Sequence, residues 1–249
     1  MKCGDDRSTS SNAESVSIKI VKAAIVQSSY IPWKGFFDII HDVDVFVLYD
    51  DVQFTRRDWR NRNKIRAGQD LKWLTIPVKS KGNYYQKICE TEISDLAWAD
   101  QHWNQIKQFY RKAKCFDQVS ELLAPCYEAA REETLLSRIN YNFTVAIRDF
   151  LNIDTKIVWS MDYEVSGQKT DRLIALCQAI GADSYLSGPS ARAYMEEEKF
   201  QAAGIELAYK DYSGYPEYRQ LAEPFEHGVS IVDLLMNEGA DAPRYIWDF

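Results

Sequence analysis

Eleven consecutive residues, Arg56-Arg57-Asp58-Trp59-Arg60-Asn61-Arg62-Asn63-Lys64-Ile65-Arg66, hold six bases and one acid. That is a local charge of +5 on a chain whose formal net charge is −7. Guanidinium forks match the oxygens of phosphate and carboxylate, so Arg56, Arg60 and Arg62 are candidate anion ligands. Asn61 and Asn63 add neutral donors, and Trp59 a stacking face. The plainer reading is a solvated charged strand or loop paired with the surplus acids. RNA is a poorer fit, because one short basic run on an acidic protein is a small footprint.

Three polar segments share a position rather than a composition. Gln27-Ser28-Ser29-Tyr30, Asp50-Asp51-Val52-Gln53 and Ser187-Gly188-Pro189-Ser190 each follow a short apolar run. Asp50 or Asp51 could bind Mg²⁺, hold a hydroxyl or take a proton. Adjacent strand residues point to opposite faces, so one of the two is expected in a site. Ser187-Gly188-Pro189-Ser190 is a small-residue turn opening a helix, where free N–H groups can hold an anion. It has neither dinucleotide-fingerprint nor P-loop spacing. His227 is the one histidine on a loop with functional character, whereas His41 and His102 fall on predicted helices and read as structural. Tyr215, in the tyrosine-rich turn 211–218, could line a sugar or base pocket; core packing explains that turn almost as well. No Ser/His/Asp triad or H-E-x-x-H is present.

The elements that would position these residues are legible as periodicity. Ala23-Ala24-Ile25-Val26 and Val45 to Tyr49 are continuous apolar or β-rich runs, separated by a helical pattern through Phe36, Phe37, Ile39 and Ile40. Strand, helix, strand predicts a right-handed βαβ unit and a parallel sheet. Trp73 to Val78 reads as a third strand and Ile88 to Ile93 as a fourth. From Ala97 to Leu151 the period becomes helical, with Pro125 expected to divide two helices. Strands are expected again at 156–160, 184–187 and 205–209. Thr170 reads as a helix N-cap, and Ser230 with Asp233 as a capping box. The fold class is α/β: a mostly parallel sheet with flanking helices and an inserted helical subdomain. The expected organisation is a flexible tail over 1–21, core over 22–96, helical insertion over 97–152, core over 153–239 and a C-terminal tail over 240–249. Ligands of such sheets bind beyond the carboxyl ends of the strands, which is where the three polar segments lie.

Composition narrows the class. With 46% apolar and 13% aromatic residues the chain is not a disordered one. Its acidity gives no global pull toward nucleic acid or anionic lipid. Five cysteines, Cys3, Cys89, Cys115, Cys126 and Cys177, are scattered singly, and only three histidines accompany them. Reduced thiols in a cytoplasmic protein without a metal centre are expected. No apolar run approaches the roughly 18 residues of a membrane helix, and Met1 to Asn12 has no hydrophobic region of a secretory signal.

The segments also resemble a known family. Gln27-Ser28-Ser29-Tyr30-Ile31-Pro32-Trp33-Lys34-Gly35-Phe36-Phe37 is similar to the opening signature of WbqC-like proteins. Tyr49-Asp50-Asp51-Val52-Gln53, Asn61-Arg62-Asn63-Lys64-Ile65 and Trp73-Leu74-Thr75-Ile76-Pro77-Val78 follow in order. So do Tyr185-Leu186-Ser187-Gly188-Pro189-Ser190 and Gly228-Val229-Ser230-Ile231-Val232-Asp233-Leu234-Leu235. Many relatives open with His-Gln-Pro where this chain has Val26-Gln27-Ser28. The resemblance implies a part in bacterial O-antigen and lipopolysaccharide biosynthesis. It points to an N-acyl or aminoacyl transferase acting on the amino group of a nucleotide-linked amino sugar.

Under that reading Arg56, Arg60, Arg62, Asn61 and Asn63 hold a diphosphate or an acyl carboxylate. Ser187, Gly188 and Ser190 hold the other anion or the tetrahedral oxyanion. Gln27 and Gln53 are further substrate ligands, and Tyr30, Trp33 and Tyr215 wall the sugar. Asp50, Asp51 or His227 takes the proton of the attacking amine. The acyl donor is a coenzyme A ester, an aminoacyl donor or an ATP-activated acid. No nucleic acid and no membrane insertion are expected, and an oligomer is allowed. The alternatives are an ATP-dependent amide ligase on the same scaffold and a non-catalytic nucleotide-sugar binding protein. Adenylylating ligases of the nucleotidyltransferase type carry H-x-G-H where this chain has Trp33-Lys34-Gly35-Phe36.

Overall fold

The computed structural model of the chain describes residues 20–249. Cys3 and most of the segment expected to be a flexible tail therefore lie outside the described residues. Five parallel strands form the central sheet: β1 (Lys22–Val26), β2 (Val45–Leu48), β5 (Lys156–Trp159), β6 (Ser184–Ser187) and β7 (Glu206–Tyr209). Their spatial order is β5-β2-β1-β6-β7. A separate antiparallel hairpin joins β3 (Arg62–Ala67) to β4 (Asp70–Thr75).

Period-two alternation distributes the strand residues between two cores. Ala24, Phe46, Leu48 and Leu186 face one core, shared with helices α1 (Lys34–His41), α2 (Trp98–Tyr110), α3 (Phe116–Ala129), α4 (Leu136–Phe150) and α7 (Ile231–Glu238). Ala23, Ile25, Val47, Val158 and Tyr185 face the other, against α5 (Lys169–Ala179) and α6 (Glu197–Ala202). A strand covered on both faces must be apolar where it is covered, which is why β1 beyond Lys22 and all of β2 are uninterrupted apolar runs. The helices of 98–150 share one continuous core with α1 and α7.

Four local expectations need correction. Trp73 to Val78 does not join the main sheet: β4 ends at Thr75 and pairs with β3 in the hairpin, whose turn carries Gly68 at φ +68°. Ile88 to Ile93 is not a strand, because Ile88–Glu90 is a 3₁₀ turn in which the Glu90 carboxylate accepts the Lys87 N–H at 3.0 Å. Pro125 lies inside α3 rather than between helices. It sits on the exposed face, where water can satisfy the carbonyl that loses its helical partner. The N-cap of α5 is Gln168, while the Thr170 hydroxyl accepts the Glu196 N–H at 3.4 Å.

At α7 the Ser230 hydroxyl does cap, accepting the Val232 N–H at 3.2 Å. Asp233 does not complete the box, because its carboxylate takes the hydroxyls of Tyr110 and Tyr218 instead. The segment read as a C-terminal tail packs onto the body. Residues Gly239–Tyr245 form a 3₁₀ helix, Ile246 is buried and Trp247 stacks on His41 at 4.2 Å.

Candidate functional site

The order β5-β2-β1-β6-β7 reverses direction between β1 and β6. The chain passes from β1 through α1 to β2 on one face, then reaches β6 through α5 on the other. Such a switch point opens a crevice at the carboxyl edge. Here the opening is visible in the ladder. β1 and β6 pair only through Lys22–Ser184 and Ala23–Tyr185 among the described residues, whereas the other strand pairs of the central sheet keep four partners each.

Two cavities meet over that gap. The larger, about 920 Å³, is lined by Gln27, Tyr49, Lys169, Thr170, Ser187, Ser190 and Glu196 among others. The smaller, about 360 Å³, is walled by Pro32, Trp33, Phe36, Ile39 and Tyr212, with Ser29, Trp59 and Asn63. Val26, Arg60 and Gly188 line both. The two are lobes of one cleft.

Arg60 stands where the lobes join. Its side chain is 11% exposed, and Nε and Nη1 have no hydrogen-bond partner. The Asp58 carboxylate is 4.0 Å from Nε, beyond hydrogen-bond reach. Burial draws the guanidinium pKa down, while Asp58 and Asp50 hold it up. A buried charge without a bonded counterion is costly, so an anion arriving in the cleft beside the guanidinium gains charge pairing. The first turn of α5 adds unpaired backbone N–H groups on the same side, because Lys169 and Thr170 line the larger lobe.

Gly188 is the second informative residue. Its φ is −70°, so it needs no glycine for backbone reasons, and a Cβ built there meets nothing within 4 Å. A missing side chain at the junction of two lobes leaves room for close approach to a ligand. Gly35 works differently: a Cβ there would lie 2.3 Å from the Trp33 ring, so this glycine lets the indole fold back to wall the smaller lobe.

The residues expected in the site are therefore divided. Gln27, Trp33, Arg60, Asn63, Ser187, Gly188 and Ser190 line the cleft. Asn63 spends its amide on structure, donating to the Ile31 carbonyl at 2.9 Å and accepting the Lys64 N–H at 2.8 Å.

Asp50 does not line the cleft. It is fully buried, its Oδ1 accepting the Ser28 N–H at 2.8 Å and its Oδ2 the Ser137 hydroxyl at 2.5 Å. Burial raises its pKa, and these bonds oppose the rise. Asp51 is held by Arg172 and by the Ser160 hydroxyl at 2.6 Å. Neither carboxylate is placed to take a substrate proton. His227 is exposed beside the smaller lobe, one residue before Gly228, and packs on Phe225 at 4.6 Å. Burial and the nearby Lys34 charge lower its pKa.

Tyr30 is no sugar wall. Its ring is in the core, and its hydroxyl bonds His102 Nδ1 at 3.0 Å and the Tyr127 hydroxyl at 2.7 Å. Tyr215 bonds the Asp38 carboxylate and supports Trp33 edge-on at 6.1 Å, leaving Tyr212 to line the lobe. Gln53 is exposed and donates to the Tyr84 carbonyl at 2.9 Å.

The arginine run splits because residues 56–60 turn rather than extend. Arg56, Arg57 and Arg62 line a separate 280 Å³ hollow with Asn61, Thr75 and Ser80. There Arg56 bonds the Ser80 carbonyl, Arg62 bonds the Arg57 carbonyl and lies 4.2 Å from the Trp73 ring, and Asn61 donates to the Ile76 carbonyl at 2.8 Å.

Sequence reasoning missed Tyr49, Lys169 and Glu196, took Tyr215 rather than Tyr212 from the tyrosine-rich turn, and missed the supports Ser137 and Asn140. The available signal for the last two was an uncharged polar pair at i, i+3 inside the apolar pattern of α4. Among the described residues no three His, Cys, Asp or Glu side chains gather as metal ligands, and Cys89, Cys115, Cys126 and Cys177 are free thiols. No helix of the described residues is long and apolar enough to cross a membrane.

The family model of the WbqC-like proteins matches residues 27–245, beginning at the first residue beyond β1. The chain belongs to the WbqC-like family. The chain is also similar to "Uncharacterized protein Rv1507c" of Mycobacterium tuberculosis (strain ATCC 25618 / H37Rv). The two are 48% identical over 225 residues, covering 90% of this chain and 97% of the relative. No solved structure matches this WbqC-like chain.

Proposed function

We propose that this WbqC-like protein is a transferase that binds a nucleotide-linked amino sugar in the switch-point cleft and acylates its amino group. The observation that carries the reading is Arg60, a guanidinium 11% exposed at the junction of both lobes whose nitrogens no carboxylate hydrogen-bonds. The larger lobe has the size of a nucleotide-type ligand, at the upper end of the roughly 300–1,000 Å³ usual for small-molecule sites. In it Arg60, Lys169 and the first turn of α5 hold the diphosphate. The family resemblance supplies the chemistry and its setting in surface-polysaccharide assembly.

In the transfer the sugar amine attacks the acyl carbon of a coenzyme A ester or aminoacyl donor. The C–N bond forms, the bond from acyl carbon to the thiolate or alkoxide leaving group breaks, and the amine proton passes to a base. His227 is the residue we assign to that proton, because it stands at the mouth of the smaller lobe, one residue before Gly228, and imidazole is the side chain that exchanges protons near neutral pH.

The test is mass spectrometry of UDP- and dTDP-amino sugars incubated with the protein and a panel of acyl donors. The expected result is a sugar nucleotide heavier by one acyl group. Binding of the sugar nucleotides without any mass change across the panel would replace this reading with that of a non-catalytic binding protein.

A further inference from the structure

The smaller lobe differs from the larger one in kind. Val26, Pro32, Trp33, Phe36, Ile39 and Tyr212 give it apolar and aromatic walls. At about 360 Å³ it is near the lower limit for a ligand site, too small for a whole nucleotide in addition to its own solvent space. Among the described residues its one lining cation is Arg60, at the end shared with the larger lobe, where the side-chain-free Gly188 also lines it. An occupant with an apolar body and one polar end, turned toward Arg60, satisfies both features.

We infer that this lobe is a separate site for an apolar acyl group of ring or branched-chain size, its carbonyl oxygen directed at Arg60 over Gly188. The inference rests on the proposed reading of the larger lobe as the nucleotide site only in naming the occupant an acyl group. Trp33 is the chief wall: Tyr212 packs edge-on against it at 5.0 Å and Gly35 admits its indole. A charged or very small acyl group would leave those walls either wet or unfilled. The lobe thus selects for apolar volume.

Three neutral probes test this on the full chain: acetamide, isovaleramide and phenylacetamide, titrated by calorimetry or ligand-observed NMR, with UDP in parallel. Each added methylene buried in such a lobe is worth about fourfold in affinity, so phenylacetamide should bind at least roughly thirtyfold more tightly than acetamide. Trp33→Ala and Tyr212→Ala should each weaken phenylacetamide more than UDP, and saturating UDP should not displace it.

A flat probe series, or competitive displacement of phenylacetamide by UDP, overturns the inference. If UDP fails to bind while the amide series behaves as stated, the nucleotide reading falls and the acyl site stands. If one variant loses its fold, the other still decides, because the two rings belong to different segments.

Discussion

Asn140 Nδ2 donates to the Arg60 carbonyl at 2.9 Å and to the Ser28 hydroxyl at 3.0 Å. One buried amide from the middle of α4 thus ties the junction residue of the cleft to the exit of β1. Together with Ser137, which bonds Asp50 one turn earlier, it makes α4 a clamp across two strand exits. The helical segment between the sheet halves positions the site without lining it.

Replacing Asn140 by leucine keeps the branching of the side chain and removes both bonds. The buried Arg60 carbonyl and Ser28 hydroxyl lose a donor, at about 1–3 kcal/mol for each group left unsatisfied. Urea melts should show a lower midpoint with an unchanged slope. UDP affinity should fall beyond what the unfolded fraction explains, because the Arg60 backbone is released. Unchanged affinity in the folded fraction would show that α4 does not position Arg60.

Asp50→Ala separates a structural carboxylate from a catalytic one. Ser28 N–H and Ser137 O–H both lose their acceptor, so a stability loss of about 2–4 kcal/mol is expected from two unsatisfied buried donors. A catalytic base would behave differently, with wild-type stability and a transfer rate lower by orders of magnitude.

Gly188→Leu should leave the fold intact, since φ is −70° and the Cβ has open space. Such substitutions fall within about 0.5 kcal/mol of wild type. The new side chain enters the junction, so UDP binding should weaken at least about tenfold, equivalent to about 1.4 kcal/mol. A stable variant with wild-type UDP affinity would place the ligand elsewhere.

How far the site could be read from sequence depended on whether its residues acted through local pattern or through tertiary packing. Gln27 and Ser187 end apolar runs buried on both sheet faces, so their place at the carboxyl edge followed from strand periodicity. Asp50 ends such a run too, but nothing local announced that Ser137 would cover it. The arginine run divides because residues 56–60 turn rather than extend, and nothing in its composition marks that turn. That turn sends Arg60 into the cleft and Arg56 and Arg62 into another hollow. Tyr30 misled for a related reason: an aromatic beside a strand exit can serve a pocket or a core. Only its bonds to His102 and Tyr127 decide for the core.

Lys34 provides a pH test of the packing beneath the cleft. It is buried beside the Tyr215 ring, its Nζ donating to the Tyr245 carbonyl at 3.0 Å, and burial lowers its pKa from 10.5 to about 8, with Asp38 opposing. Between those two values the unfolded chain binds more protons at this position than the folded one, so the Lys34 contribution to stability rises with pH. Below pH 8 the charged form is buried at full cost. The stability of wild type relative to Lys34→Met should therefore improve from about pH 8 to about pH 10, measured by paired urea melts. Parallel pH profiles would contradict the assignment, and comparing the pair cancels the buried tyrosines that titrate above this window.

The most direct measurement is the UDP affinity of Arg60→Ala beside Arg56→Ala and Arg62→Ala, with melting temperature followed for each. A charge-assisted bond to phosphate is worth about 1.5–3 kcal/mol, so Arg60→Ala should lose about ten- to a hundredfold. Removing a buried charge that no carboxylate hydrogen-bonds should leave its melting temperature unchanged or higher. Arg56→Ala and Arg62→Ala, in the other hollow, should bind within about threefold of wild type, because neither side chain lines the cleft. Wild-type UDP affinity in Arg60→Ala, or a larger loss in Arg56→Ala or Arg62→Ala, would contradict the placement of the anion at the switch point.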